Sequence, residues 1–319
     1  MNRLQLVVIP LLLVYTASFS QQLPLFTQYR DNQSVINPAA IHSDYLVFER
    51  NMTVGASYRS QWTQLPGHPM TQTLRFDYLN DQTGGIGLLM GGFAMNDQTG
   101  PTGFTGAYAR FAGIISDDPA FGGISLGLHA GLVQYRVNAA KLRFRDENDI
   151  ITTENQMKLF PDVGLGVYAY KMLDGNFLNG DYVYAGLSIP QVLGLDVSFP
   201  DENGAFFTKR VQHFYGMVGL IKLFDNDSYL EPTAWVKYTP NAKVNADFNL
   251  RYQLPTSFWI GAGLSTAKIS HVEAGFLLGD NVGWDNMVRI GYSFDYAFAS
   301  FGPLSGTSHE INVALSLER

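Results

Sequence analysis

Six histidines, at positions 42, 68, 129, 213, 271 and 309, and no cysteine bound the nucleophilic and metal chemistry open to this 319-residue chain. Gly123-Ile124-Ser125-Leu126-Gly127 has the Gly-x-Ser-x-Gly spacing of a nucleophile elbow, with His129 two positions beyond. That motif works only on a sharp strand-to-helix turn that exposes the serine. Here it lies inside a glycine-rich alternating stretch in which Ser125 and His129 share one strand face, so both are expected as polar lining. Asp225-Asn226-Asp227 with Glu231 offers hard oxygen ligands for calcium but lacks the spacing and central glycine of a calcium loop, and reads as a solvated turn. His271 and Glu273, two apart on a strand, share a face and could begin a metal or proton site, yet no third ligand can be named. Gly85-x-Gly87 and Gly261-x-Gly263 have no helix after them to hold a phosphate. No catalytic, cofactor or metal site is therefore expected.

The elements that must position these residues follow a period of two. In Ala242 to Tyr252, Val244, Ala246, Phe248, Leu250 and Tyr252 share one face, and Lys243, Asn245, Asp247, Asn249 and Arg251 the other. Met70, Leu74, Phe76 and Tyr78 oppose Thr71, Thr73, Arg75 and Asp77. Val288, Ile290, Tyr292, Phe294 and Tyr296 oppose Arg289, Ser293 and Asp295, and Ile311, Val313, Leu315 and Leu317 oppose Glu310, Asn312, Ser316 and Glu318. Other segments alternate apolar residues with glycine or small residues, as in Ile124 to Leu132 and Phe258 to Leu264. About fourteen such segments, each near ten residues, are separated by short turns with no convincing helix between them. They centre near residues 54, 74, 90, 108, 128, 166, 185, 216, 234, 248, 261, 274, 291 and 314. A soluble sandwich can also alternate, but strand number and length favour an all-β, closed antiparallel transmembrane barrel, because hydrocarbon tolerates no open sheet edge. Tyr168, Tyr170, Tyr182, Tyr184, Tyr292 and Tyr296 are expected at strand ends as interfacial girdles. Two connections are long enough for functional loops: Val137 to Phe160, with the charged run Arg143 to Asp149, and Gln191 to Arg210. Both follow odd-numbered strands, so both are expected on the extracellular side.

Composition agrees with an exported barrel. Only 15% of residues are charged, aromatics reach 13%, and glycine is abundant at 32. The net charge of −7 leaves no basic footprint for nucleic acid. Met1 to Ser20 reads as a secretory signal peptide: Arg3 supplies the positive start, Leu4 to Val14 the apolar stretch, and Ser18 and Ser20 the small residues before a cut. Residues 45–319 form the barrel by this reading. Residues 21–44 are too polar and turn-rich for a membrane strand, with Asn37-Pro38 as a chain break. They are expected to plug or line the periplasmic mouth, where Tyr29, Arg30, Asn37 and Pro38 would contact a partner or fix the plug. Arg59 and Trp62 close the first strand at the opposite rim, and Trp62 suits an interfacial anchor.

Phe26-Thr27-Gln28-Tyr29, followed by Ile36-Asn37-Pro38-Ala39, resembles the start of mature PorP/SprF-family proteins of the type IX secretion system. Tyr58-Arg59-Ser60-Gln61-Trp62, Thr71 to Leu74, Asn96-Asp97 to Gly100-Pro101-Thr102, Gly127 to Arg136, Gly186 to Pro190 and Ser308-His309-Glu310 are similar to that family in the same order. In the last motif Ser308 lies between Gly306-Thr307 and His309-Glu310, a departure from the family pattern. The resemblance implies a non-enzymatic outer-membrane barrel of Bacteroidota without cofactors. Its partners would be outer-membrane lipid, type IX secretion components and a secreted surface protein, an adhesin bearing a C-terminal export signal, or the periplasmic motor ring; gliding motility belongs to the same implication. His309 and Glu310 join the candidate partner-binding residues on this ground. A diffusion or uptake barrel for small solutes is the rival reading, and a lipid-modifying enzyme using Ser125 a third.

Overall fold

Alternation of this kind leaves each strand with one apolar and one polar face, and the two faces can be separated completely only if the sheet curls shut. A computed structural model of the chain shows that closure. It describes residues 25–80, 85–138, 156–175, 178–194, 196–201, 204–209, 211–299 and 302–318. The signal-peptide reading of residues 1–20 and the charged run at residues 143–149 lie outside the described residues.

Fourteen strands form the barrel in chain order: β1 (Met52–Ser60), β2 (Met70–Asn80), β3 (Ile86–Thr99), β4 (Thr102–Ile115), β5 (Gly122–Val137), β6 (Gln156–Met172), β7 (Tyr182–Ile189), β10 (Phe214–Leu223), β11 (Tyr229–Tyr238), β12 (Asn245–Gln253), β13 (Phe258–Ser265), β14 (Ile269–Leu278), β15 (Met287–Ala297) and β16 (Thr307–Leu317). Every neighbouring pair is antiparallel, and β1 closes on β16 in a continuous register from Met52↔Leu317 to Ser60↔His309. Each of the fourteen segment centres read from the sequence falls on one of these strands. The connection 190–213 is more ordered than a plain loop: it carries the hairpin β8 (Asp196–Asp201) and β9 (Gly204–Lys209), a separate two-stranded sheet.

Both barrel termini, Met52 and Leu317, lie at one rim, which also carries the short turns 116–121, 224–228 and 254–257. The two long connections, 138–155 and 190–213, both leave from the opposite rim, as their parity requires, and long connections mark the extracellular side of such barrels. β6 pairs with β5 along nearly its whole length but with β7 only from Leu165 to Met172. Pro161 lies in the stretch that lacks a β7 partner, a place where a missing N–H costs the ladder nothing.

The outward face is apolar and bare: Leu74 is 57% exposed, Leu126 54% and Leu187 65%. The inward face is buried and mixed: Phe93, Met95, Ile114, Met217 and Trp235 pack there as an apolar part beside a polar one. Thr73, Arg75, Asp77, Asp247, Asn249, Arg251, Arg289, Ser293 and Asp295 all point into the lumen and are shielded from water. Tyr292 and Tyr296 face outward, Tyr296 near a strand end and Tyr292 at mid-strand, whereas Tyr168, Tyr170, Tyr182 and Tyr184 are buried inside, against the girdle reading. Tyrosine has both an apolar ring and a polar tip, so period-two position alone does not tell which side it prefers.

Candidate functional site

A fourteen-stranded barrel is wider than its own wall side chains can fill, since eight strands already reach that limit. The chain fills the difference with its own N-terminal segment. Residues 25–48 lie in the lumen and include two short helices, α1 (Gln33–Ile36) and α2 (Ser43–Phe48), so the first strand begins at Met52 and not near residue 45. The helices are brief for local reasons. Asn37-Pro38 ends α1, and α2 is capped by His42, whose Nδ1 accepts from the Asp44 N–H at 3.2 Å, and closed by Glu49 in the left-handed region. The segment reaches further than the periplasmic mouth. Thr27 sits against Arg59, Asp295 and Glu310 in the extracellular half, whereas α2 lies at the periplasmic end with Phe48 against Tyr229 and near Trp259, Leu277 and Met287.

Three ionic clusters tie the segment to the wall. In the extracellular half, Glu310 accepts from the Thr27 N–H at 2.7 Å and from Asn32 Nδ2 at 3.3 Å, while Arg59 reaches Asp295 at 2.6 Å, Glu310 at 3.3 Å and the Thr27 hydroxyl. In the middle, Arg30 pairs with Glu273, and Asp31 accepts from Arg251 at 2.8 Å with Arg289 beyond at 3.8 Å. Near the periplasmic end, Asp44 pairs with Arg289 at 2.5 Å and accepts from the Ser316 hydroxyl at 2.7 Å. Arg251 also lies over the Trp259 ring, 4.1 Å from its centroid. Burial opposes ionisation of Asp31, but Arg251, then Arg289 and Arg30, outweigh it and hold its carboxyl well below the usual carboxylate range. Asp44 is likewise lowered: its burial is overcome by Arg289, with His42 and two hydrogen bonds adding to the effect. Burial pushes the Tyr29 hydroxyl upward, so it stays neutral and shares a 2.5 Å hydrogen bond with Thr233.

Backbone contacts complete the seat. Arg110 donates to the Pro38 and Ala40 carbonyls and pairs with Asp77. Asn37 Nδ2 donates to the Val167 carbonyl at 3.1 Å, and its Oδ1 accepts from the Ala39 N–H at 2.9 Å. Strand glycines face this turn: a side chain at Gly127 would collide with the backbone of Pro38 and Ala39, and one at Gly166 or Gly186 with Asn37. Their alternation with apolar residues clears room for the segment.

Of the residues singled out from sequence, Tyr29, Arg30, Asn37, Pro38, Arg59 and Glu310 meet in the lumen. Trp62 and His309 do not. Trp62 is half-buried in the β1–β2 connection, with φ of 56° and its N–H donating to Ser308 Oγ at 3.2 Å. His309 is on the other side of β16 from Glu310, bonded to Tyr292 and Thr307. Asp31, Asp44, Arg75, Arg110, Arg251 and Arg289 are the anchors that motif reading missed. For the four arginines the signal was a full charge on the polar face of an otherwise alternating strand; Asp31 and Asp44 lie in the N-terminal segment, outside any strand.

The chemical motifs resolve differently. Ser125 and His129 are buried mid-strand on β5, and His129 Nε2 is 2.9 Å from the Pro190 carbonyl. Glu231 faces the lumen, where Tyr184 donates to it at 2.7 Å, away from the Asp225–Asp227 turn. His271 bonds Asn249 and Glu273 bonds the arginines, so the two neighbours serve separate partners. Among the described residues no group of three histidines or carboxylates is placed to hold a metal ion.

The fold is similar to solved outer-membrane barrels. The CymD monoaromatic hydrocarbon channel aligns at a TM-score of 0.53 and 10% identity, covering 89% of this chain and 91% of that one. The translocator domain of autotransporter NalP from Neisseria meningitidis aligns at 0.43 and 13% identity, covering 87% and 92%. A comparison with curated proteins gives no match. The sequence itself matches, over residues 18–315, the family described as type IX secretion system membrane protein PorP/SprF. With nearly the whole chain matched and the closed barrel in place, this protein belongs to the PorP/SprF family and is an outer-membrane β-barrel of type IX secretion.

Proposed function

We propose that this barrel is a non-enzymatic accessory that supports export or surface attachment of a partner protein, an adhesin carrying a C-terminal export signal, or links the outer membrane to the periplasmic motor ring. The observation that supports it over solute passage is the occupied lumen. Residues 25–48 run from the extracellular half to the periplasmic mouth and are tied to the wall at three levels by buried ion pairs. On this reading a cleaved export signal at residues 1–20 precedes the plug. Tyr29, Arg30, Asn37, Pro38, Arg59 and Glu310 hold that plug, while Trp62 and His309, near the extracellular rim, are the two candidates positioned outside the lumen.

Deletion of the gene tests this directly: surface display of one cognate protein should be lost while uptake of small solutes is unchanged. Normal display with reduced uptake would overturn the proposal in favour of a channel. One feature bears on that rival, a small, mainly apolar cavity of about 20 Å³ between plug and wall, lined by Phe26, Val35, Phe93, Met95, Tyr108 and Tyr215 among others. One barrel that it resembles in fold is named as a monoaromatic hydrocarbon channel. Uptake of such hydrocarbons by cells with and without the gene separates the two.

A further inference from the structure

The lipid-facing wall carries a groove where it meets the periplasmic rim. The groove has a volume of about 610 Å³ and runs beneath the β4–β5 turn, across β5, β6 and β7. Register explains the hollow. Ile115, Ile124, Ala169, Ala185 and Val218 stand side by side on five neighbouring strands, all exposed on the outward face, and the two alanines leave a dip between larger side chains. Phe121, 58% exposed, borders the dip from the turn above. That turn is fastened from the lumen side. Tyr170 and Tyr182 donate to the Pro119 and Ala120 carbonyls at 2.6 and 2.8 Å, and the Ser116 hydroxyl donates to the Gly122 carbonyl. The groove is therefore preformed, which lowers the cost of ordering a ligand in it.

Charges of both signs line the groove and do not meet. Lys171 is the next outward residue after Ala169 on β6, is exposed, and makes no hydrogen bond or ion pair among the described residues. Lys222, also outward at the periplasmic end of its strand, is by contrast paired with Asp181 at 2.7 Å. Asp117 has no partner among the described residues either, and Asp118 accepts from the Ala120 N–H at 3.0 Å through one oxygen, leaving the other open. An unpaired lysine or aspartate in open water needs no explanation. A lysine on the lipid-facing row of a strand does, because its stem packs along the apolar wall and its head has to find an anion at the interface.

An apolar dip continuous with the lipid-facing band, a cation beside it and carboxylates at a separate point match a molecule that bears an acyl chain, a phosphate and an amine. We infer that this groove binds a phosphatidylethanolamine of the periplasmic leaflet. An acyl chain lies over Ala169 and Ala185, Lys171 takes the phosphate, and Asp117 with the open oxygen of Asp118 takes the ammonium. A lipid with an anionic headgroup would satisfy Lys171 but bring nothing to the carboxylates, and a choline headgroup has no N–H to donate to them. The site depends on the barrel wall alone and is independent of the accessory reading.

Native mass spectrometry of the full-length protein tests this after incubation with dioleoyl phosphatidylethanolamine, phosphatidylglycerol or phosphatidylcholine at equal concentration. The expected result is preferential retention of phosphatidylethanolamine, reduced about fivefold by Lys171→Gln and unchanged by Lys243→Gln in the extracellular turn 239–244. Asp117→Asn combined with Asp118→Asn keeps an oxygen for the Ala120 N–H and should erase the preference over phosphatidylglycerol while leaving binding in place. Ala185→Phe fills the dip from an exposed position and should reduce retention of all three lipids. Heat-modifiable migration on gels confirms that each variant is a folded barrel. Retention that ignores the headgroup, or that Lys171→Gln and Ala185→Phe leave intact, marks ordinary annular lipid and overturns the inference. A preference for phosphatidylglycerol, or an acylated polypeptide in place of phospholipid on the protein as isolated, overturns it as well.

Discussion

Asp31 and Arg251 form the middle tie between plug and wall, and severing it should open the lumen by a calculable amount. Both side chains are nearly sealed from water, with relative exposures of 4% and 2%. Their contact is 2.8 Å, and Arg251 also serves Glu273 at 3.4 Å. Removing one member of a buried pair costs about 3–5 kcal/mol when the other charge is left wholly unpaired; here Glu273 stays beside Arg251 and Arg289 beside Asp31, so the lower end applies. At about 1.4 kcal/mol per decade, the undocked fraction should rise by roughly a hundredfold in Asp31→Asn or Arg251→Gln. Because the chain has no cysteine, a single thiol reports this cleanly. Ser34 is a suitable position: it is 5% exposed and its hydroxyl has no hydrogen-bond partner, so Ser34→Cys removes no bond. Maleimide labelling of that thiol in vesicles should accelerate by the same factor, with a parallel rise in single-channel conductance. The double variant Asp31→Asn/Arg251→Gln should recover part of the loss, with a coupling of about 0.5–3 kcal/mol. Labelling rates and conductance indifferent to both single changes would refute a plug held by buried ion pairs.

Three further outcomes follow from the same structure. The Asp31 carboxyl is held below its unfolded pKa of about 3.9, so its stabilisation is fully present above that value and is lost as pH falls; the labelling-rate ratio of Asp31→Asn to the parent should be constant from about pH 8 to 5 and shrink below about pH 4. A ratio that already collapses near pH 6 would contradict this. Gly166→Ala places a methyl group on Asn37 and should weaken plug docking by about 1–3 kcal/mol, whereas Gly113→Ala, which meets nothing within 4 Å, should leave the labelling rate unchanged. Leu126→Arg puts a charge on the lipid face and should destabilise folding into vesicles by about 2–4 kcal/mol if Leu126 lies at mid-bilayer depth, measured by urea titration.

Much of the architecture was legible because closure follows from alternation. Once Leu74, Phe248 and Ile290 fall on one side of their strands and Arg75, Asn249 and Arg289 on the other, a membrane-embedded sheet has to hide its polar face and its edges together, and a barrel does both. Strand number and the shared rim of the two long connections came from counting alone. The hairpin of residues 196–209 did not, since a short pair of strands outside the barrel has no bilayer to impose a length or a period on it.

The sequence by itself determined which faces meet lipid, how many strands close the wall and that residues 21–44 could not be one of them. Only the tertiary structure decided where that polar segment goes and what it touches. Tyr168 and Tyr184 could face either way by pattern, and only the filled lumen turns them inward. Arg59, Asp295, Glu310 and Thr27 lie up to 283 positions apart in the chain, and no local period couples them. The physical reason is that hydrophobic alternation is a one-strand property set by the surrounding solvent, whereas ion pairing across a lumen depends on the diameter and register that all fourteen strands fix together.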